Sequence, residues 1–310
     1  MALKLVGGAI ALCAAYFLVW FFNYAGPLGL VSQGTLVVVM ASKDGLIFAS
    51  DTRQTVSRNV TESASFCDAA EKILEPALPG RFIIAVTGRR GFYPLSIIAA
   101  QDICGYVKST PRDFDIGEVA KMWVEQNAGD VDLRQFDATD LANYLHNALF
   151  SYYTAHPYRS PQASGDIFAS SVVLASFDPE TATSYVRSLE LKISPDLKQL
   201  LINDVTHAKF GPDDVSEPLV FGEVDYLMTE VLPTFASQPS AETTKSLIGN
   251  FPHTSFMKTA ETPKQTAIDL AKDLIGAASR MTATKPASSG IGGPIDIRFI
   301  GAEPRVERVH

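Results

Sequence analysis

The chain has 310 residues, 46% of them hydrophobic and 19% charged, enough apolar material for a sizeable core in one large domain or two small ones. Its formal net charge of -8, with no basic stripe, argues against nucleic acid as the main partner. The three cysteines, Cys13, Cys67 and Cys104, include no C-x-x-C pair, which removes zinc ribbons and thioredoxin-like motifs from consideration.

Residues 5–22 (LVGGAIALCAAYFLVWFF) form an uncharged apolar run at the short end of what spans a hydrocarbon core, so an N-terminal hydrophobic helix is expected. Lys4 precedes the run and no charge follows until Lys43, which places the bulk of the chain outside the cytosol. The run reads either as an uncleaved anchor or as a signal-like segment. For the second reading, Gly26 and Pro27 break the helix, and Ser32 and Gly34 set small residues three and one positions before Thr35. Residues 1–34 are thus an anchor or a removed propeptide, and residues 35–310, with no repeat or obvious linker, read as one domain. Cys13 lies in the apolar run, which leaves Cys67 and Cys104 as one disulfide or two buried thiols.

From Thr35, TLVVVMA is a continuous run rich in β-branched residues, as in a strand covered on both faces. Lys43, Asp44 and Gly45 supply a turn, LIFAS returns as a second strand, and RFIIAVT (81–87) reads as a third. A helical block comes next: residues 92–107, 116–123, and 141–152, where Leu141, Tyr144, Leu145, Ala148, Leu149 and Tyr152 fall on one face. A hairpin is expected over 169–177 and 183–189, and then two helices, the second opened by Thr262 as N-cap and Pro263 at the first helical position. SSGIGG (288–293) turns into a last strand in which Ile295, Ile297 and Phe299 alternate with Asp296 and Arg298. Strand hairpins interleaved with helix pairs favour a layered α+β architecture, two antiparallel sheets face to face with helices outside. The five histidines have no metal-ligand spacing, and G-x-S-x-G is absent.

A hydroxyl becomes a useful nucleophile when a base takes its proton. An N-terminal threonine carries its own base, an α-amino group with an unperturbed pKa of about 7.7–8.0. Such a residue needs a cation beside it and an acid to hold that cation. GTLVVVMASKDGLIFASDTR, from Gly34 to Arg53, resembles the opening of proteasome β-type subunits and their bacterial relatives, the N-terminal-nucleophile hydrolases. The resemblance implies a four-layer αββα sandwich, amide-bond hydrolysis without metal or cofactor, a peptide or protein substrate, and assembly into homo-oligomers. It sets Thr35 on the nucleophile, Gly34 on the residue before the autocatalytic cut, Asp51 on the buried acid and Arg53 on the basic residue two further on. Glu71-Lys72-Ile73 resembles the element that carries the catalytic lysine, Lys72, and FIIAVTG resembles the strand whose glycine, Gly88, donates to the oxyanion. Arg89 and Arg90 come directly after it, and in the family that position helps line the first specificity pocket, so Arg90 is a candidate substrate-binding residue. EPLVFGEVDYL, from Glu217, resembles the stretch that opens the next helix, and GGPIDI resembles the late Gly-Gly strand.

Two departures stand out. FGPDDVSEP replaces the usual Gly-Ser-Gly, leaving only Ser216 nearby, and the Asp-x-x-Ser before the final Gly-Gly is missing, with Ser288 and Ser289 as substitutes. Three functions are therefore expected as alternatives: a threonine peptidase once residues 1–34 are removed, a membrane-anchored and catalytically silent scaffold, or an amidase acting on a small amide. Localisation takes the same fork: membrane-anchored through residues 5–22 if uncut, exported if cut.

Overall fold

The computed structural model describes residues 30–33, 36–57, 65–68, 70–77, 82–127, 132–134, 137–159, 168–194, 200–222, 257–283, 291–303 and 306–309. The hydrophobic run at 5–22, Gly34, Thr35, Ser288 and Ser289 lie outside them. Among the described residues no helix is long and apolar enough to cross a membrane.

Two antiparallel sheets carry the fold. The smaller is built on the β-branched run, which forms β2 (Leu36–Ser42), buried at every position, and returns through Lys43–Asp44 as β3 (Gly45–Asp51), equally buried. At the turn Gly45 has φ +146°, and a Cβ there would lie 2.1 Å from the Ile300 carbonyl oxygen, so only glycine lets the strands close this tightly. The sheet is completed by β12 (Leu219–Gly222) beside β2, and by β13 (Ile295–Gly301) and β14 (Glu307–Val309) beyond β3.

The larger sheet contains β1 (Leu30–Gln33), β4 (Arg53–Ser57), β5 (Ser65–Asp68), β7 (Ile83–Phe92), β9 (Phe168–Asp178), β10 (Thr183–Ile193) and β11 (Leu200–Phe210), in the order β11-β10-β9-β7-β1-β4-β5. Two short strands, β6 (Ile73–Leu74) and β8 (Phe114–Asp115), add to β7. Among the described residues the α-helices are α1 (Ile103–Ser109), α2 (Ile116–Gln126), α3 (Ala138–Ala155) and α4 (Lys264–Ala283). Aspartates cap three of them: Asp102 accepts from the Gly105 amide at 3.0 Å, Asp115 from Gly117 at 2.9 Å and Asp137 from Thr139 at 2.8 Å.

Alternation along each strand splits the apolar side chains into separate cores. Ile84, Val86, Val172 and Leu174 pack with Val119, Leu141, Leu145 and Leu149 of α2 and α3. Val38, Met40, Ile47 and Ala49 pack with Ala267, Ala271, Leu274 and Ala278 of α4. The opposite sides of the same strands, Val37, Val39 and Phe48 from one sheet and Ile83, Ala85 and Val173 from the other, share a third cluster.

Several sequence expectations are corrected. The block at 92–107 is not one helix: β7 runs through Phe92, Pro94 is extended and opens a short 3-10 helix over Leu95–Ala99, and α1 begins only where Asp102 can cap it. In the stretch after Glu217, Leu219–Gly222 form β12, paired to β2, and the helix expected to follow falls on residues 223–256, outside the described ones. β11 is a strand that the sequence pattern does not announce. Thr262 precedes α4, but its hydroxyl donates back to the Lys258 carbonyl at 2.9 Å.

Candidate active site

The end of β3 delivers Asp51 to the start of β2, because the antiparallel register pairs Val37 with Ser50. There Asp51 is fully buried and accepts three hydrogen bonds. Its Oδ1 takes the Lys72 ammonium at 2.7 Å and the Leu36 amide at 3.1 Å, and its Oδ2 takes the Gly292 amide at 3.0 Å. Lys72 is also 0% exposed. Burial pushes the Asp51 carboxyl above the usual carboxylate range, against the opposing pull of the Lys72 ammonium and the two amides. Ammonium and Leu36 amide meet on one oxygen. The cation therefore sits within one hydrogen-bonded atom of the residue that succeeds Thr35.

Lys72 enters from the other sheet. It immediately precedes β6, and its carbonyl accepts from the Val86 amide of β7 at 3.2 Å. Neighbouring contacts hold the segment: the Ala70 amide donates to the Thr52 carbonyl at 2.8 Å, and Arg298 of β13 donates to Glu71 at 3.0 Å and also to Glu75. Arg90 is part of this scaffold. Only 2% exposed, it shares its Nε–H between the two carboxylate oxygens of Asp115, at 2.7 and 2.8 Å, and donates through Nη1 to the Glu71 carbonyl. The adjacent N-cap carboxylate of α2 draws the guanidinium inward, onto the segment that carries Lys72.

Arg53 pairs with Asp68 at 2.7 Å at the half-exposed edge of the site and covers Gly292, where a Cβ would fall 2.5 Å from its Cζ. Gly88 has φ +79°, and a Cβ on it would meet the Ala169 carbonyl at 2.8 Å. Its amide belongs to the planar Thr87–Gly88 peptide, whose carbonyl accepts from the Ser170 hydroxyl of β9 at 3.2 Å. In a trans peptide N–H and C=O point in opposite directions. The Gly88 N–H is thereby aimed away from β9, toward β1.

β1 itself lies between β4 and β7, antiparallel to both, with Ser32 opposite Thr55 on one side and Gln33 opposite Gly88 on the other. The four residues that end just before Gly34 are thus an extended strand running toward the Asp51–Lys72 pair. On the α2 side, Arg112 donates to Asp115 at 2.7 Å and to the Gln54 side-chain oxygen at 2.9 Å. Ser216 is far from all of this: its hydroxyl binds the Ala41 carbonyl, five residues along β2 from Leu36.

Sequence reasoning misses Ser170, Arg112, Arg298 and β1. The first three are ordinary strand or loop residues whose roles exist only through partners distant in sequence. β1 escapes notice because it falls within residues 1–34, which the sequence reads as an anchor or a removed propeptide. Among the described residues no grouping of His, Cys, Asp and Glu could hold a metal ion. Sequence comparison finds no matching family model and no matching characterised protein.

Proposed function

We propose that the protein is a threonine-type amide-bond hydrolase acting on extended peptide, with Thr35 as nucleophile after removal of residues 1–34. The observation that carries this reading is the buried Lys72–Asp51 pair at the first residue of β2, its acid also gripping the Leu36 amide. Burying an ammonium and a carboxylate costs several kcal/mol before their attraction repays it. Such a pair is expected where its charge is used. In the proposed step the Thr35 hydroxyl loses its proton to the freed α-amine and attacks the substrate carbonyl. The Lys72 ammonium favours the deprotonated oxygen, and the Gly88 amide receives the oxyanion. The amine then returns the proton to the leaving nitrogen, and water releases the acyl group by the same route.

A peptide is favoured over a small amide by β1, because a slot that binds a backbone on both sides suits an extended chain. We read the three apolar clusters as the interfaces of the helix–sheet–sheet–helix order of the N-terminal-nucleophile fold. The disulfide between Cys67 and Cys104, at 2.03 Å, supports an exported domain, since such bonds persist in oxidising compartments.

N-terminal sequencing of the purified protein, with mass spectrometry after treatment with a β-lactone, tests the reading. Chains starting at Thr35 and acylated there are expected, and Thr35→Ala should fold, keep residues 1–34 and take no label. Wild-type chains starting at Met1 and inert to the lactone would overturn it. That result would favour the silent scaffold, whose support is the remote position of Ser216.

A further inference from the structure

The larger sheet has an unusual dependence on β1. In the order β9-β7-β1-β4-β5, the pair β4–β5 reaches the rest of the sheet, among the described residues, only through β1. Adjacent strands lie about 4.8 Å apart, so removal of β1 leaves β7 and β4 facing each other across roughly 9.6 Å. Both facing edges then carry unpaired N–H and C=O groups. Because β1 is antiparallel to each, β4 and β7 run in the same direction and could pair with one another directly. Closure of the gap is therefore an available alternative state, and it would abolish the slot.

Ties other than β1 oppose that closure. At the base, the Thr52 amide donates to the Pro294 carbonyl and the Arg53 amide to the Gly292 carbonyl, each at 3.0 Å. In the middle, Arg112 holds Gln54. On the outer strand the tie is covalent: Cys67 of β5 is bonded to Cys104 of α1 across 37 residues. That bond sits in a small separate core, where Val56 and Cys67 pack with Tyr93, Ile97, Ile103 and Val107, and the Tyr93 hydroxyl donates to the Val107 carbonyl at 3.3 Å. Tyr93 directly succeeds the last residue of β7. The route from β5 through the disulfide to α1, and from α1 through Tyr93 to β7, is thus a bridge around the slot.

We propose that the Cys67–Cys104 disulfide is the strut that keeps the β4–β5 wall one strand's width from β7 after β1 departs, so that the trimmed protein admits an extended peptide only when oxidised. The proposal rests on the reading that residues 1–34 are removed and the vacated slot takes substrate. Before removal β1 fills the gap and the strut is redundant. After removal it is not. A bond that merely stabilised the fold would matter equally in both forms, and the test turns on this difference.

The comparison is between the wild type and Cys67→Ala/Cys104→Ala, each purified as the processed protein and, with Thr35→Ala added, as the full chain. Amide hydrogen exchange is monitored over residues 53–57 and 65–68. In the full chain the cysteine change should alter protection there by less than about threefold, whereas in the processed protein protection should fall by about tenfold or more. Labelling of processed Thr35 by a peptidyl electrophile should slow by about tenfold, while labelling by a small β-lactone changes by less than about threefold, because only the peptide needs the preformed slot. Equal loss of protection in both forms, or no loss in either, would overturn the strut while leaving the hydrolase reading intact. Wild-type protein that is never trimmed or labelled would sink the hydrolase reading first, and the strut with it.

Discussion

Replacing Lys72 by methionine keeps most of the side chain's length and apolar stem, so the change reports the charge rather than a cavity. Asp51 then stays fully buried, with the Leu36 and Gly292 amides still donating to it and the ammonium gone. Breaking a buried ion pair from one side typically costs about 3–5 kcal/mol. For a domain of this size that lowers Tm by on the order of 10 °C. The cost should depend on pH, and its sign is set by Asp51. Burial already pushes this carboxyl above its ordinary value while Lys72 opposes the rise, so losing Lys72 raises it further. A carboxyl raised in the folded state contributes stability below its unfolded pKa of about 3.9, and that contribution is lost as pH climbs through the folded value. The gap between wild type and Lys72→Met should thus be smallest in acid and widen toward neutrality, measured by urea unfolding at a series of pH values. β-Lactone labelling of Thr35 should vanish throughout. A gap below about 1 kcal/mol, as for an exposed pair, or one that narrows toward neutral pH, would refute the argument.

Two further outcomes are expected. For Asp115, burial alone would raise the carboxyl, but the Arg90 and Arg112 guanidiniums outweigh it and hold it below the usual range. Its contribution is then present above the unfolded pKa of about 3.9 and lost as pH falls through the folded value, so the destabilisation caused by Asp115→Asn should be full at pH 7 and shrink in acid unfolding curves below about pH 4. Gly88→Ala places a methyl 2.8 Å from the Ala169 carbonyl on a residue at φ +79°, so the peptide must turn. Thr35 labelling should fall by about 10²–10³-fold, the cost of losing the proposed oxyanion donor, read as an acylation rate alongside an unfolding midpoint.

What the sequence discloses and what it withholds divide along a physical line. α2 and α3 are legible because each buries a periodic face, and β2, β3 and the β9–β10 hairpin because apolar, β-branched runs are bounded by turn residues; both signals are written in local residues. Asp51 and Lys72 are legible as a pair through their resemblance to a known pattern, and the structure brings them to 2.7 Å. The partners of Arg90 are not legible, for an instructive reason. Nothing in GRRGF tells one arginine from the next. Arg90 turns inward because β8 places Asp115 beside it, through the pairing of Gly91 with Asp115. The disulfide stays open at the level of sequence for a similar reason, since spacing alone does not bring β5 and α1 together.

The same line explains how Lys72 is held. A lysine stem is long and flexible, and a buried ammonium gains most from escaping to solvent, so the backbone beneath it must be pinned. β6 is only two residues long and could not do this alone. Two arginines supply what it lacks, one from each sheet: Arg90 of β7 grips the Glu71 carbonyl, and Arg298 of β13 grips the carboxylates of Glu71 and Glu75 on either side of Lys72. Each arginine is itself fixed by an aspartate, Asp115 for Arg90 and Asp296 for Arg298. The cation is therefore positioned by charges that do not touch it, and those charges come from strands more than two hundred residues apart in the chain. Contacts from both sheets assemble the clamp, so the ion pair at the start of β2 depends on strands of each being in place.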